Sequence, residues 1–154
     1  MPDAKAPDFT LPTTGGGSFS LTAQAGKVVV LYFYPKDSTP GCTTEAQQFR
    51  DLHDRFTAVD AVILGISRDS LKSHENFKAK QALPFALGSD ADEAVCNLFG
   101  VIKMKNMYGK QVQGIERSTF LIDPEGKLAA EWRKVSVKGH AAEVLEKVHS
   151  LKGN

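Results

Sequence analysis

The chain has 154 residues, the length of one domain (1–154), and can bury a core without a disulfide or metal staple. Its 42% apolar and 24% charged residues match a globular protein and exclude disordered and collagen-like classes. Nineteen Lys and Arg against eighteen Asp and Glu leave a net charge of +1, which argues against a large basic footprint for nucleic acid or anionic lipid. No apolar run approaches the ~20 residues of a membrane span, and the opening residues lack the basic head and apolar stretch of a secretory leader. The expected address is the cytoplasm.

Residues 1–27 are rich in Pro, Gly, Thr and Ser, and Thr13–Ser18 reads as a turn. Phe19-Ser20-Leu21 fits one arm of a small hairpin ahead of the main domain. Residues 28–34, Val-Val-Val-Leu-Tyr-Phe-Tyr, predict a strand buried on both faces, ended by Pro35. After a loop over 36–41, Ala46, Phe49, Leu52 and Phe56 recur at helical steps along Thr43–Phe56. Residues 61–66 predict a second buried strand. Ser70 starts a helix to about Lys80, with Leu71, His74 and Phe77 on one side. Pro84–Leu87 is a short strand. Asp90 and Glu93 have capping-box spacing for a helix running to about Phe99, stopped by Gly100. Residues 101–116 alternate charged and apolar groups and fit a long irregular loop or a weak hairpin around Tyr108-Gly109. Ser118–Ile122 and Lys127–Arg133 flank an Asp-Pro-Glu-Gly turn as antiparallel partners. Gly139–Leu151 closes the chain as a helix with Ala142, Leu145, Val148 and Leu151 inward. The alternation predicts an α/β fold of thioredoxin-like class: a mixed central sheet flanked by helices, with an N-terminal hairpin extension.

Chemistry concentrates in Tyr34-Pro35-Lys36-Asp37-Ser38-Thr39-Pro40-Gly41-Cys42-Thr43-Thr44-Glu45. This loop leaves the C-terminal end of a central strand and enters a helix, the sheet edge where α/β proteins bind ligands. Cys42 falls in the first helical turn, where free N–H groups and the helix dipole favour an anion. Only the thiolate attacks, and such a setting favours it. Pro40 restricts Thr39 to extended backbone, and Gly41 permits close approach. The bland alternative makes Cys42 an inert core residue and Thr39 a helix cap. The chemical reading requires a sulfur that solvent reaches.

Pro35, Thr39 and Cys42 reproduce the Pro-x-x-x-Thr-x-x-Cys signature of peroxiredoxins, and the longer string resembles the peroxiredoxin Q, or bacterioferritin-comigratory-protein, subfamily. Ala6-Pro7-Asp8-Phe9, Gly65–Ser70, Ser89-Asp90, Lys105–Lys110 and Gly114–Asp123 are similar to further motifs of that subfamily, in order, across nearly the whole chain. The resemblance implies a peroxidase that reduces hydrogen peroxide and organic hydroperoxides, without a cofactor or metal. Cys42 would be the peroxidatic thiolate. Thr39 would offer its hydroxyl to the peroxide and sulfur, Arg117 would direct its guanidinium at both, and Pro35 would shield the pocket. Donors of this kind, with the Gly41 and Cys42 N–H groups, suit a transition state that spreads negative charge over sulfur and oxygen. Glu45 would support the hydrogen-bond network; its alternative is a solvated helix carboxylate. For Arg117 the alternative is a surface ion pair with Glu116 or Asp123. A monomer is implied.

Two-cysteine members carry a resolving cysteine five residues after the peroxidatic one or in the next helix. Here those positions hold Gln47 and Lys78. Cys96, the only other thiol, sits among apolar residues and reads as buried packing; an atypical resolver is the alternative. The expectation is a one-Cys enzyme recycled by glutathione, or by a thioredoxin- or glutaredoxin-like protein. Rival readings are a peroxide-responsive sensor or holdase, a structural binding module, and a thiol-disulfide oxidoreductase, for which CxxC spacing is absent. His53, His74, His140 and His149 lack metal-ligand spacing and are expected at the surface or half-buried. Trp132 is expected to pack in the hairpin, and Arg133-Lys134 to be a solvated edge.

Overall fold

The computed structural model describes residues 5–151, apart from the side chains of Lys105 and Met107. The opening four residues, read above for a leader, lie outside them. The elements in chain order are β1 (Thr10–Thr13), β2 (Gly17–Ser20), β3 (Val28–Phe33), α1 (Pro40–Ala58), β4 (Ala61–Ser67), α2 (Leu71–Gln81), β5 (Ala86–Ser89), α3 (Ala94–Leu98), β6 (Ile102–Met107), β7 (Lys110–Ile115), β8 (Ser118–Ile122), β9 (Leu128–Arg133) and α4 (His140–Leu151). Seven strands form one mixed sheet in the order β2-β1-β5-β4-β3-β8-β9. β3, β4 and β5 run parallel, and β8 and β9 continue the sheet antiparallel. This is the mixed sheet flanked by helices that the alternation predicts.

β3 is central, and every one of its residues is buried. Because side chains alternate across a strand, Val28, Val30 and Tyr32 enter one apolar layer while Val29, Leu31 and Phe33 enter the other. The first layer is closed by α1, α4 and Phe77 of α2. The second is closed by Val95 and Cys96 of α3, Phe99 and the N-terminal segment. Each fully buried large side chain contributes roughly 1.5–3 kcal/mol, so β3 and its two covers anchor the domain.

Three expectations need correction, and for residues 102–115 the hairpin alternative holds. The N-terminal hairpin does not stand ahead of the domain; Thr13 of β1 pairs with Gly88 of β5, extending the main sheet. A β-carbon at Gly88 would collide with Leu11 Cδ1, so glycine admits this junction. Residues 102–115 form a separate two-stranded sheet around Tyr108-Gly109, both with positive φ, as a tight hairpin turn requires. α3 is a single short turn without a capping box: Glu93 is left-handed, and the Asp90 carboxylate accepts the Val95 and Cys96 N–H groups instead. On α4 the buried stripe is Ala141, Val144, Leu145 and Val148, while Ala142 and Leu151 are exposed. Buried His140 begins that stripe, and its polarity hid the register from a count of apolar residues. Among the described residues, no helix is long and apolar enough to cross a membrane.

Candidate active site

The loop after β3 carries Cys42 into the first turn of α1. Thr39 is the N-cap, extended at φ −87° and ψ 156°, and Pro40 opens the helix. Proline suits that position because its missing N–H has no partner there in any helix. The Thr43 N–H returns to the Thr39 carbonyl at 2.8 Å. Gly41 and Cys42 therefore present first-turn N–H groups that no helical carbonyl reaches.

Arg117, between β7 and β8, covers the sulfur. Its Nη2 donates to Cys42 Sγ at 3.4 Å, and its Nη1 donates to Glu45 Oε1 at 2.7 Å. The side chain of Glu45 is wholly buried and that of Arg117 is 17% exposed. Arg117 and Glu45 are thus paired across the site, and neither of their alternative surface readings holds. The guanidinium passes so near the backbone that a β-carbon at Gly41 would stand 3.1 Å from Nη2. Cys42 itself is 1% exposed, so the requirement for an openly accessible sulfur is not met as stated. The covering groups are the reason: the sulfur lies beneath the partly exposed guanidinium of Arg117, which is turned toward it.

Burial pushes the Glu45 carboxyl up to about 7, although the Arg117 charge and hydrogen bond pull it down. Its Oε2 has no hydrogen-bond partner among the described residues. Burial works against the Arg117 cation, but Glu45 and Cys42 outweigh it and raise its pKa above the ordinary value. One guanidinium therefore faces two groups able to carry negative charge. A proton on Glu45 leaves Arg117 to the sulfur alone.

Thr39 differs from expectation in its hydrogen bond. Its hydroxyl donates to the Lys36 carbonyl at 2.8 Å and makes no capping bond, which leaves the oxygen lone pairs to accept a proton donor. Pro35 is half-buried, two residues past the end of β3.

A polar network behind the loop escaped the sequence reading. Asp37 Oδ1 accepts the Tyr34 hydroxyl at 2.6 Å, and Oδ2 accepts the Ser73 hydroxyl at 2.8 Å and lies 2.7 Å from His74 Nδ1. The Asp37 N–H donates to Asp69 Oδ2 at 2.8 Å, and His74 Nε2 reaches the Gly88 carbonyl at 2.9 Å. Burial pushes the Asp37 carboxyl up, but hydrogen bonds from His74, Tyr34 and Ser73 prevail and hold it below the ordinary range. Asp37, Asp69 and His74 gather three ligand-type atoms within 4.8 Å, each residue being engaged in this network. His74 and His140 are buried, against the expectation of surface or half-buried histidines; His53 is half-buried and His149 exposed. The helical spacing of His74 with Phe77 was the available signal.

Cys96 is fully buried in the apolar layer on the opposite side of the sheet from Cys42, as its apolar neighbours predicted. Both cysteines are free. Burial, then the hydrogen bond and charge of Asp90, push the Cys96 thiol far up.

The AhpC/TSA family model matches residues 2–131. The chain is 60% identical over 138 residues to Peroxiredoxin Bcp of Xanthomonas campestris, covering 90% of this chain and 86% of that one. It is 52% identical over 147 residues to Peroxiredoxin Bcp of Bacillus subtilis, covering 96% and 94%. A solved structure of Xanthomonas campestris Peroxiredoxin Q superposes with a TM-score of 0.92 at 54% identity, over 97% of this chain and 99% of that one. A structure of the Xanthomonas campestris bacterioferritin comigratory protein, a protein described for alkyl peroxide reduction, superposes with a TM-score of 0.90 at 56% identity, over 94% and 92%.

Proposed function

Because the chain belongs to the AhpC/TSA family and is a peroxiredoxin of the Bcp/peroxiredoxin Q type, a peroxidase on a thioredoxin fold, we propose that Cys42 is its peroxidatic residue and that it works as a one-Cys enzyme on hydrogen peroxide and alkyl hydroperoxides. The observation that carries this reading is the Arg117 guanidinium 3.4 Å from Cys42 Sγ, tethered by buried Glu45 at the start of α1.

The Cys42 thiolate attacks the terminal oxygen of the hydroperoxide. The S–O bond forms as the O–O bond breaks, sulfur is oxidised to sulfenic acid, and the second oxygen leaves as hydroxide or alkoxide and takes up a proton. The Thr39 oxygen accepts the hydrogen on the attacked oxygen. Arg117 and the first-turn N–H groups of α1 stabilise the negative charge that moves from sulfur to the leaving oxygen. Pro35 shields the pocket from water. An external thiol then condenses with the sulfenic acid, releasing water and leaving a mixed disulfide. A second thiol attacks that disulfide, restoring Cys42 and releasing the oxidised reductant. Glutathione, or a thioredoxin- or glutaredoxin-like protein, would serve.

The one-Cys assignment is supported by Gln47 and Lys78 at the usual resolver positions and by the sheet lying between Cys42 and Cys96. A disulfide needs the two Cα atoms within about 7 Å. The test is peroxide consumption by wild type, Cys42→Ser and Cys96→Ser, with thioredoxin and glutathione systems supplied separately. Loss in Cys42→Ser alone is expected; loss in Cys96→Ser would make Cys96 a resolver. Excess peroxide without a reductant should also carry Cys42 on to the sulfinic form, seen as a two-oxygen mass increase. An intramolecular Cys42–Cys96 disulfide in its place would contradict the one-Cys cycle.

A further inference from the structure

Ser38 has φ +64°, a left-handed conformation for a residue with a side chain. Such strain persists only where the surroundings enforce it. It falls in the turn that sets Thr39 and the start of α1, four residues before Cys42. Asp37, the preceding residue, is pinned by its N–H to Asp69 and by its carboxylate to Tyr34, Ser73 and His74. His74 is the fully buried member that ties this anchor to the sheet, since its Nε2 reaches the carbonyl of Gly88 in β5. A carbonyl oxygen and a carboxylate oxygen both only accept, so His74 donates from Nε2 to Gly88 and from Nδ1 to Asp37.

We propose that His74 is a positioning residue for peroxide reduction: through Asp37 it holds the strained Asp37-Ser38-Thr39 turn, and so keeps the Thr39 hydroxyl in register with Cys42. His74 does not touch the reacting atoms. The proposal rests on Cys42 being the peroxidatic residue.

The two ring nitrogens separate this role from simple core packing. His74→Asn places an amide nitrogen near the Nδ1 position and retains the bond to Asp37. His74→Gln reaches the Nε2 position and retains the bond to Gly88. The readouts are the second-order rate of Cys42 oxidation by hydrogen peroxide and the rate of Cys42 modification by methyl methanethiosulfonate, a small reagent that needs no peroxide-binding groups. His74→Gln should lose about tenfold or more in the peroxide rate with the thiosulfonate rate within about threefold, while His74→Asn stays within about threefold in both, because small misplacements of reacting groups cost that much. Equal loss in the two variants, no loss in His74→Gln, or peroxide and thiosulfonate rates falling in step would overturn the proposal. If His74→Gln does not fold, Ser73→Ala removes a second donor to Asp37; a several-fold loss confined to the peroxide rate supports the proposal, and an unchanged peroxide rate overturns it. Cys42→Ser serves as the control: oxidation by peroxide persisting there refutes the assignment of Cys42 itself, separately from any result at position 74.

Discussion

Gly41 has little clearance, because the Arg117 guanidinium crosses it on the way to Cys42 and Glu45. A β-carbon there meets Nη2 at 3.1 Å, and the neighbour that must yield is a side-chain tip. In the first turn of a helix, alanine is otherwise the better residue, by up to about 1 kcal/mol over glycine. Gly41→Ala should therefore leave thermal stability unchanged or slightly raised while lowering the peroxide rate several-fold. Stopped-flow oxidation kinetics beside a thermal melt test this, and a variant that loses stability and rate together would show that Gly41 serves the backbone instead of Arg117. The same crossing explains why the motif was readable at this position: a residue without a side chain precedes the cysteine because the guanidinium occupies the space.

The second helix shows what local sequence does and does not announce. Its start was legible, since Ser70 caps it by accepting the Ser73 N–H. Its end was not, because Ala82 takes the left-handed position at φ 54° that glycine normally fills, and the Leu83 N–H returns to the Lys78 carbonyl. An L-residue pays roughly 1–2 kcal/mol for that conformation, so Ala82→Gly should raise the urea midpoint of unfolding with an unchanged denaturant dependence. No rise would mean that the alanine methyl makes packing contacts that offset the strain. The buried strand β3, the α1 face and the cysteine loop were legible because apolar periodicity and a dense motif each report a single local cause. The β6–β7 hairpin was ambiguous because its strands are largely exposed and carry little apolar alternation. The Asp37–His74 network was hidden because its members come from the β3–α1 loop, from α2 and from β5, and only the fold brings them together. Arg117 and Glu45, 72 residues apart, would have been equally hidden without the family resemblance.

Across the whole molecule, two buried groups couple folding to protons in opposite directions. Glu45 rises from its ordinary 4.5 to about 7, chiefly through burial, so the folded protein holds a proton that the unfolded chain releases over that interval. Its stabilising contribution is fully present below 4.5 and is lost as pH rises through about 7. His140 lies against Phe49 and Trp132 and shares a hydrogen bond with Thr119. Burial lowers it from 6.5 to about 4, with Arg117 adding to the fall and Glu143 opposing it. Its contribution is present above 6.5 and is lost as pH falls through about 4. The two slopes oppose each other between pH 4.5 and 6.5. Asp37, held below its ordinary 3.8, adds its own acid lability beneath that window. The wild-type protein should therefore show the flattest dependence of unfolding free energy on pH across this range. Glu45→Gln removes the proton held on folding while keeping an acceptor for Arg117, so its stability should rise with pH from 4.5 to 6.5. His140→Gln should show the reverse, falling over the same interval. Urea unfolding of the three proteins across the window measures the slopes directly, and three parallel profiles would show that neither group titrates differently in the folded and unfolded states.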